Sequence, residues 1–283
     1  MKPPKPDKPE ILDNYLASIF LEPKLNFFNH LFILTGVRFD QSSIYDQIIT
    51  PRAALMFNIK KHSFRISYSE AFRAPKPWDY TYELGNADLL PEEMYSIEGA
   101  YSFASKYFIL DIVAYNNKLQ NAISLEYLSE GSRWINSGEV NTQGGEIFLR
   151  FSLKKLSPYI NYTYNYSFDE FENLVPEIAK HTANAGFTYS LNKYFRINLR
   201  ANYVGKRENP KEIVSVHSFY VDPYLIFNGS ISMINYKGFN VQISVKNILN
   251  QEYYHTSNRM PDRYRQPQRT VLFSIGYNIN NKK

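Results

Sequence analysis

The segment "FRINLRANY", from Phe195 to Tyr203, alternates between apolar and polar side chains at every position. Phe195, Ile197 and Leu199 would lie on one face of an extended strand and Arg196 and Asn198 on the other, because successive side chains of a β-strand point to opposite faces. The alternation predicts a strand that is apolar on one side and polar on the other. The same period of two recurs in four further segments: 31–40, 146–152, 240–246 and 270–279.

The composition indicates an ordered β protein, and the sequence contains no recognised catalytic motif. Of the 283 residues, 44% are hydrophobic and 16% are aromatic, with 24 Tyr and 20 Phe, which favour strands and exclude a disordered chain. The net charge of +5 is dispersed along the chain, which argues against a nucleic acid partner. The absence of cysteine excludes disulfides, thiolate metal sites and a Cys nucleophile. No Ser/His/Asp set, phosphate-binding Gly loop or His-x-x-x-His pair is found, so we predict neither catalysis nor a metal or other cofactor.

The alternation fits both a soluble β-sandwich and a membrane β-barrel, and three features favour the barrel. The segments run to roughly ten residues, as tilted transmembrane strands do. Tyr and Phe recur near the strand ends, where an aromatic girdle would lie. Short connections, such as Lys60–His62, alternate with long ones, such as Ala71–Glu92. We therefore predict an all-β, antiparallel transmembrane β-barrel in a bacterial outer membrane.

The predicted strands number about 13, and this count suggests that the barrel is incomplete. Two of them, Tyr107–Tyr127 and Arg133–Ser152, are long enough to project beyond the membrane. Single-chain bacterial barrels have an even number of strands. The first residues, "MKPPKPDKPE", also lack the apolar core of a secretory signal peptide. We expect a Pro/Lys-rich segment at 1–12, followed at 13–283 by the C-terminal part of a larger barrel.

Several motifs occur in an order known from one family. "FRISYSEAFRAPKPWDY" at Phe64–Tyr80 resembles the strand and Arg-Ala-Pro loop of TonB-dependent outer-membrane receptors. Further segments occur in the same order as in that family. "LLPEEMYSIEGAYSF" (89–103) resembles its Pro-Glu segment, and "INSGEVNTQGGEIFLRF" (135–151) resembles its Asn-x-Gly and Gly-x-Glu pair. Its closing pair of strands is similar to "VKNILNQEYYH" (245–255) and "YRQPQRTVLFSIGYNI" (264–279). Two departures are a polar "NINNKK" end where the family has an aromatic residue, and the lack of counterparts to the plug domain and first strands. Such transporters have about 22 strands.

The resemblance implies energy-coupled uptake of a scarce, bulky nutrient, such as a ferric siderophore, haem or cobalamin. The implied partners are outer-membrane lipid, lipopolysaccharide and the TonB complex, which would act through an N-terminal plug that has no counterpart here. Three alternatives remain open: a passive porin-like barrel, a non-functional truncated receptor fragment and a soluble β-sandwich binding module.

The candidate functional residues form two groups. Charged and aromatic residues in the predicted extracellular loops could bind an anionic, aromatic ligand, or could simply fold the loops or lie at the lipid interface. His255, with Met260, could ligate haem or could be an ordinary hydrogen-bonding loop residue. The loop candidates are Arg73, Trp78, Tyr80, Tyr82, Arg133, Trp134, His255, Arg259 and Arg263. The predicted lumen-lining residues, which could also hold a plug by charge-assisted hydrogen bonds, are Arg38, Arg65, Arg150, Arg196, Arg200 and Lys246.

Overall fold

The computed structural model describes residues 15–45, 47–209, 219–257 and 263–279, and these residues form 20 β-strands and one short helix. Helix α1 spans Pro77–Thr81. Within the described ranges, no helix has the length and apolar character needed to cross a membrane. The strands are β1 (Leu16–Leu21), β2 (Lys24–Phe27), β3 (Leu31–Ser42), β4 (Ile48–Ile59), β5 (His62–Arg73), β6 (Glu92–Ala104), β7 (Phe108–Gln120), β8 (Ile123–Leu128), β9 (Gly131–Asn136), β10 (Val140–Phe151), β11 (Leu156–Asp169), β12 (His181–Ser190), β13 (Phe195–Val204), β14 (Arg207–Glu208), β15 (Tyr220–Val221), β16 (Tyr224–Tyr236), β17 (Phe239–Lys246), β18 (Tyr254–Thr256), β19 (Arg263–Arg265) and β20 (Thr270–Tyr277).

The main sheet has 14 strands, and hydrogen-bonded neighbours follow one another in chain order: β1-β3-β4-β5-β6-β7-β10-β11-β12-β13-β16-β17-β20, with β2 also paired to β3. The predicted all-β antiparallel class is confirmed. The strands that follow one another in chain order number 13, in agreement with the prediction of about 13. The remaining strands lie in the long connections as three two-stranded sheets: β8–β9, β14–β15 and β18–β19.

The two long strands predicted at Tyr107–Tyr127 and Arg133–Ser152 are each interrupted, so that prediction is wrong in detail. The backbone turns at Asn121 (φ 53°) and at Gly138 (φ 98°), values that a strand does not adopt. β7 therefore ends at Gln120 and β10 begins at Val140. The residues between them form the β8–β9 hairpin, whose strands pair with each other and not with the main sheet.

The chain divides into two compact units, which are described separately. Unit 1 comprises Met1–Ala100, Tyr115–Gln143 and Phe168–Asn173, and unit 2 comprises Tyr101–Ala114, Gly144–Ser167 and Leu174–Lys283. In unit 1, Gly36 lies opposite Arg52 and Met56 lies opposite Arg65. This register places the cations of β4 and β5 on the same face as Arg38 of β3, since residues two apart along a strand share a face.

In unit 2 the register brings like residues together on each face of the sheet. Ile197 lies opposite Ile231, Ile231 opposite Ile243, and Ile243 opposite Phe273, so one face carries an apolar row across four strands. The other face carries polar pairs, such as Asn184 with Asn202, Arg200 with Asn228, and Ser230 with Ser244. The alternation in the sequence thus becomes two continuous surfaces of opposite character.

The apolar surfaces are exposed, and the described residues contain almost no hydrophobic core. Among them, Leu89 and Val221 are the only buried hydrophobic residues. By contrast, Ile231 is 58% exposed and Phe273 is 66% exposed. A β-sandwich buries its apolar face, and soluble proteins rarely expose apolar patches of this extent. The exposed rows therefore do not fit a soluble β-sandwich.

Candidate functional site

The long connection after β5 folds into an aromatic cluster with the β8–β9 hairpin of the same unit. Helix α1 begins at Pro77, a residue type favoured in the first turn of a helix. Just before it, the backbone N–H of Lys76 donates to Asp79 Oδ2 (2.9 Å). The helix presents Trp78 to Tyr82, with ring centroids 5.1 Å apart, and Tyr82 lies 6.4 Å from Trp134 of β9. Three of the predicted ligand-binding residues, from two loops, are therefore brought together.

Hydrogen bonds hold this connection against the hairpin. The Glu83 carboxylate accepts from the backbone N–H of Ser132 (2.6 Å) and from its hydroxyl, and Asn86 Nδ2 donates to the Trp134 carbonyl (2.8 Å). These bonds from the hydroxyl and then the backbone N–H of Ser132 lower the pKa of Glu83, because they favour its charged form. Hydrogen bonds between the two segments thus fix the positions of the aromatic residues they carry.

The cations and the remaining aromatic residue of these loops are engaged internally. Arg73 forms an ion pair with Glu92, and Arg133 Nε lies 2.9 Å from Glu126 Oε2. The hydroxyl of Tyr80 donates to the Leu89 carbonyl (3.4 Å). Trp78 is 48% exposed. This region therefore presents an exposed aromatic ring to a ligand, whereas its two predicted cations are paired with carboxylates.

A second cluster surrounds His255 in unit 2. Its Nε2 lies 3.3 Å from the Tyr224 hydroxyl and its ring stacks on Tyr224, whose ring centroid is 4.6 Å from that of Tyr253. Arg207, on β14, donates from Nη2 to the Tyr254 carbonyl (2.9 Å) and is buried. Burial, followed by the charge of Arg207, lowers the pKa of His255 and favours the neutral imidazole. Sequence reasoning missed Arg207 and Tyr224, which carry no local signal.

The other predicted loop residues lie beside this cluster or outside the described part of the chain. Arg263, on β19, lies opposite Thr256 of β18, with its guanidinium 5.7 Å from the centre of the Tyr254 ring. Arg259 and Met260 lie outside the described residues. No group of three or more His, Cys, Asp or Glu side chains in the described ranges could hold a metal ion.

The predicted lumen-lining cations differ between the two units. In unit 1, Arg38 is paired with Asp40 (Nε to Oδ2, 2.7 Å) and Arg65 is paired with Glu98. In unit 2 the four cations are exposed and form no ion pair with any described residue; they are Arg150, Arg196, Arg200 and Lys246. The two cations of unit 1 are thus each paired with a carboxylate, whereas the four cations of unit 2 have no ion-pair partner among the described residues.

A chain of amides crosses the polar face of unit 2 beside two of these cations. Asn202 donates to Asn184 Oδ1, Asn228 Nδ2 donates to Asn202 Oδ1 (2.9 Å), and the Asn247 backbone N–H donates to Asn228 Oδ1 (3.0 Å). Asn247 is itself fixed by Gln251, to whose carbonyl its Nδ2 donates (2.7 Å). This face borders a groove of about 780 Å³ that also contacts Tyr224 and His255. The sequence alternation predicts that the asparagines of these strands lie on the polar face, but it does not predict that they hydrogen-bond to one another.

Comparison with known proteins identifies relatives over most of the chain. The family model described as "TonB dependent receptor-like, beta-barrel" matches residues 3–248. The vitamin B12 transporter BtuB of Vibrio vulnificus is 26% identical over 279 residues, which cover 96% of this chain and 43% of the relative.

Solved structures agree with this sheet architecture. The ferric enterobactin receptor PfeA of Pseudomonas aeruginosa, as a mutant in complex with enterobactin, has a TM-score of 0.81 at 16% identity, covering 93% of this chain and 45% of that one. The siderophore receptor PirA of Acinetobacter baumannii has a TM-score of 0.80 at 16% identity, covering 93% and 46%. At these identities the structures establish the fold alone, and the chain spans less than half the length of each relative named.

Proposed function

The chain belongs to the TonB-dependent receptor β-barrel family, whose members are transporters of the outer membrane and not enzymes, and on this premise we propose that it forms barrel wall in a receptor for energy-coupled nutrient uptake. In this proposal the receptor lies in a bacterial outer membrane, in contact with lipid and lipopolysaccharide. The nutrient is a scarce, bulky compound such as a ferric siderophore, haem or cobalamin.

The observation that carries the proposal is the exposed apolar row of unit 2 with a polar surface on the reverse of the same strands. Ile231 and Phe273 would face lipid, while Arg200 and Asn228 would face the lumen. Apolar-out and polar-in alternation on tilted strands is the arrangement of transmembrane barrels. The predicted passive or defunct barrel would share this surface, so energy coupling has to be tested separately.

Ligand capture is assigned to the two loop clusters. The exposed ring of Trp78, supported by Tyr82 and Trp134, offers a stacking surface, and the Tyr224–His255 cluster borders the groove in unit 2. In the proposal, the TonB complex acts on a plug contributed by sequence outside the described residues. The short turns between strands, such as Lys60–Lys61, would face the periplasm.

Uptake measurements test the proposal. In cells lacking the gene that encodes this chain, uptake of at least one of labelled cobalamin, haem or a ferric siderophore should fall to background and recover when the gene is restored. The same uptake should be lost in a strain without TonB. Uptake that depends on the gene but persists without TonB would contradict energy coupling and indicate a passive barrel. Unchanged uptake of all three ligand classes on deletion of the gene would contradict the nutrient assignment.

A further inference from the structure

The groove on the polar face of unit 2 has charge of one sign. Among the described residues that line it, two side chains are fully charged, Arg200 and Lys246, and none is Asp or Glu. Both cations are exposed, and neither forms a hydrogen bond or ion pair with a described residue. A single exposed cation is stable in water without a partner. Two cations in one groove produce a positive potential that raises the local concentration of anions.

The neighbouring amides are hydrogen-bonded to one another and carry no charge, so they do not neutralise these cations. Asn184 Oδ1 accepts from Asn202, Asn202 Oδ1 accepts from Asn228, and Asn228 Oδ1 accepts from the Asn247 backbone. Each of these side-chain acceptors is already engaged by an amide donor. The guanidinium and ammonium groups beside them therefore have no carboxylate partner among the described residues, and their charge is available to an anionic ligand.

The register separates the two cations. Arg200 lies opposite Asn228 on β16, and the next residue of β16, Gly229, lies opposite Val245, the neighbour of Lys246. The cations therefore stand on the two strands that flank β16, with backbones about 10 Å apart, which is twice the strand spacing. A ligand with several separated oxyanions can engage both side chains, whereas a single small anion is better suited to one.

Unit 1 provides the contrast within the same chain. There the Arg side chains of the polar face have carboxylate partners, as in Arg38 with Asp40, Arg52 with Glu22 and Arg65 with Glu98. The uncompensated charge is thus a property of the unit 2 groove and not of every polar face in the chain. The Tyr224 and Tyr253 rings border the same groove and add an apolar surface against which a ligand can rest.

We propose that the unit 2 groove binds a small polycarboxylate ligand, with its separate carboxylates held by Arg200 and Lys246. This rests on the proposed uptake function and narrows its substrate class to anionic carboxylate ligands, as opposed to neutral ones. Arg200 supplies a planar fork suited to bidentate carboxylate binding, and Lys246 supplies a point charge.

Calorimetry on the full-length protein purified from outer membranes in detergent tests this assignment, with citrate as the probe at low salt. We expect citrate to bind the natural protein, and R200Q/K246Q to weaken binding at least about tenfold, since two charge-assisted contacts are lost. The conservative pair R200K/K246R should retain most of the affinity. Binding to the natural protein should weaken as sodium chloride is raised, because the groove is open to solvent.

The matched control is K154Q/K155Q, which removes the same charge from the short β10–β11 connection in the same unit. Its citrate affinity should equal that of the natural protein. Equal weakening by both double variants would overturn the proposal, because the effect would be one of net charge. Equal binding of uncharged triethyl citrate, or binding of phosphate as tight as that of citrate, would overturn the polycarboxylate assignment.

Failure of this inference is distinguishable from failure of the proposed function. Absence of citrate binding by the folded natural protein would overturn the inference and point to an acidic protein segment as the occupant of the groove, while TonB-dependent uptake could persist. Loss of TonB dependence with citrate binding retained would contradict energy coupling alone. Circular dichroism and heat-modifiable gel mobility establish that each variant is folded.

Discussion

At the scale of single residues, Glu83 illustrates how a loop side chain fixes the geometry of a candidate ligand surface. Its carboxylate accepts two hydrogen bonds from Ser132 on the β8–β9 hairpin, while Tyr82 beside it contacts Trp134. The sequence marks Tyr82 and Trp134 as aromatic loop residues but contains nothing that pairs residue 83 with residue 132. That pairing depends on the positive-φ turns at Glu83 (φ 45°) and at Gly131 (φ 148°).

The Glu83–Ser132 link should be sensitive to acid. Because the pKa of Glu83 is lowered below its ordinary value of 4.5 in the folded protein, the stabilisation is present above that value and is lost as the pH falls through the lowered pKa. In a Trp78→Phe background, Trp134 fluorescence should therefore change between pH 7 and pH 3. Glu83→Gln should give the altered signal already at pH 7 and should remove this step. A step unchanged in Glu83→Gln would contradict the assignment to Glu83.

At the scale of elements, three of the short connections close hairpins through residues with left-handed backbones: β2–β3, β4–β5 and β16–β17. Between β16 and β17, Lys237 (φ 52°) and Gly238 (φ 87°) form the turn. Such turns favour Gly and match the twist of the strands. The interrupted strands at Asn121 and Gly138 follow the same rule, since residues with positive φ end a strand even where apolar residues continue on both sides. Sequence periodicity alone does not register such interruptions.

Substitution at the β16–β17 turn should destabilise the hairpin. A Cβ at Gly238 would lie 2.7 Å from Tyr277 Cε2 and would have to adopt φ +87°, so Gly238→Ala should lower the free energy of unfolding by about 1–3 kcal/mol. Gly276→Ala is the matched control on the adjacent strand, because a Cβ there meets no described atom within 4 Å. Urea unfolding in detergent measures both variants. Equal effects of the two would contradict the role given to the turn.

At the scale of the whole molecule, the decisive property is that each unit has two exposed faces of opposite character and little buried core. The apolar row through Ile231 and Ile243 has no protein covering it in the described residues, while the opposite face carries Asn228 and Ser244. Water is an unfavourable neighbour for the first face and a favourable one for the second. Such a sheet is stable when lipid and water occupy different sides.

Quenching of tryptophan reporters distinguishes the two faces directly. In a Trp78→Phe/Trp134→Phe background, single tryptophans at Ile197 and Ile243 should be quenched by brominated lipid, because these side chains lie on the apolar face. Reporters at Asn198 and Gln242, one residue away on each strand, are the matched controls and should be quenched by aqueous acrylamide instead. Equal quenching of the two sets by lipid would contradict the assigned orientation.

The alternation, the strand-rich composition and the order of short and long connections determined the class of the protein from the sequence alone. These are local properties, since the direction of a side chain in a strand depends only on its position along that strand. Only the tertiary structure decided which polar residues meet. Arg65 gains Glu98 as a partner, Asn184 joins Asn202, and Arg200 and Lys246 gain no ion-pair partner among the described residues. Pairing depends on the register between strands and on contacts between residues far apart in the chain.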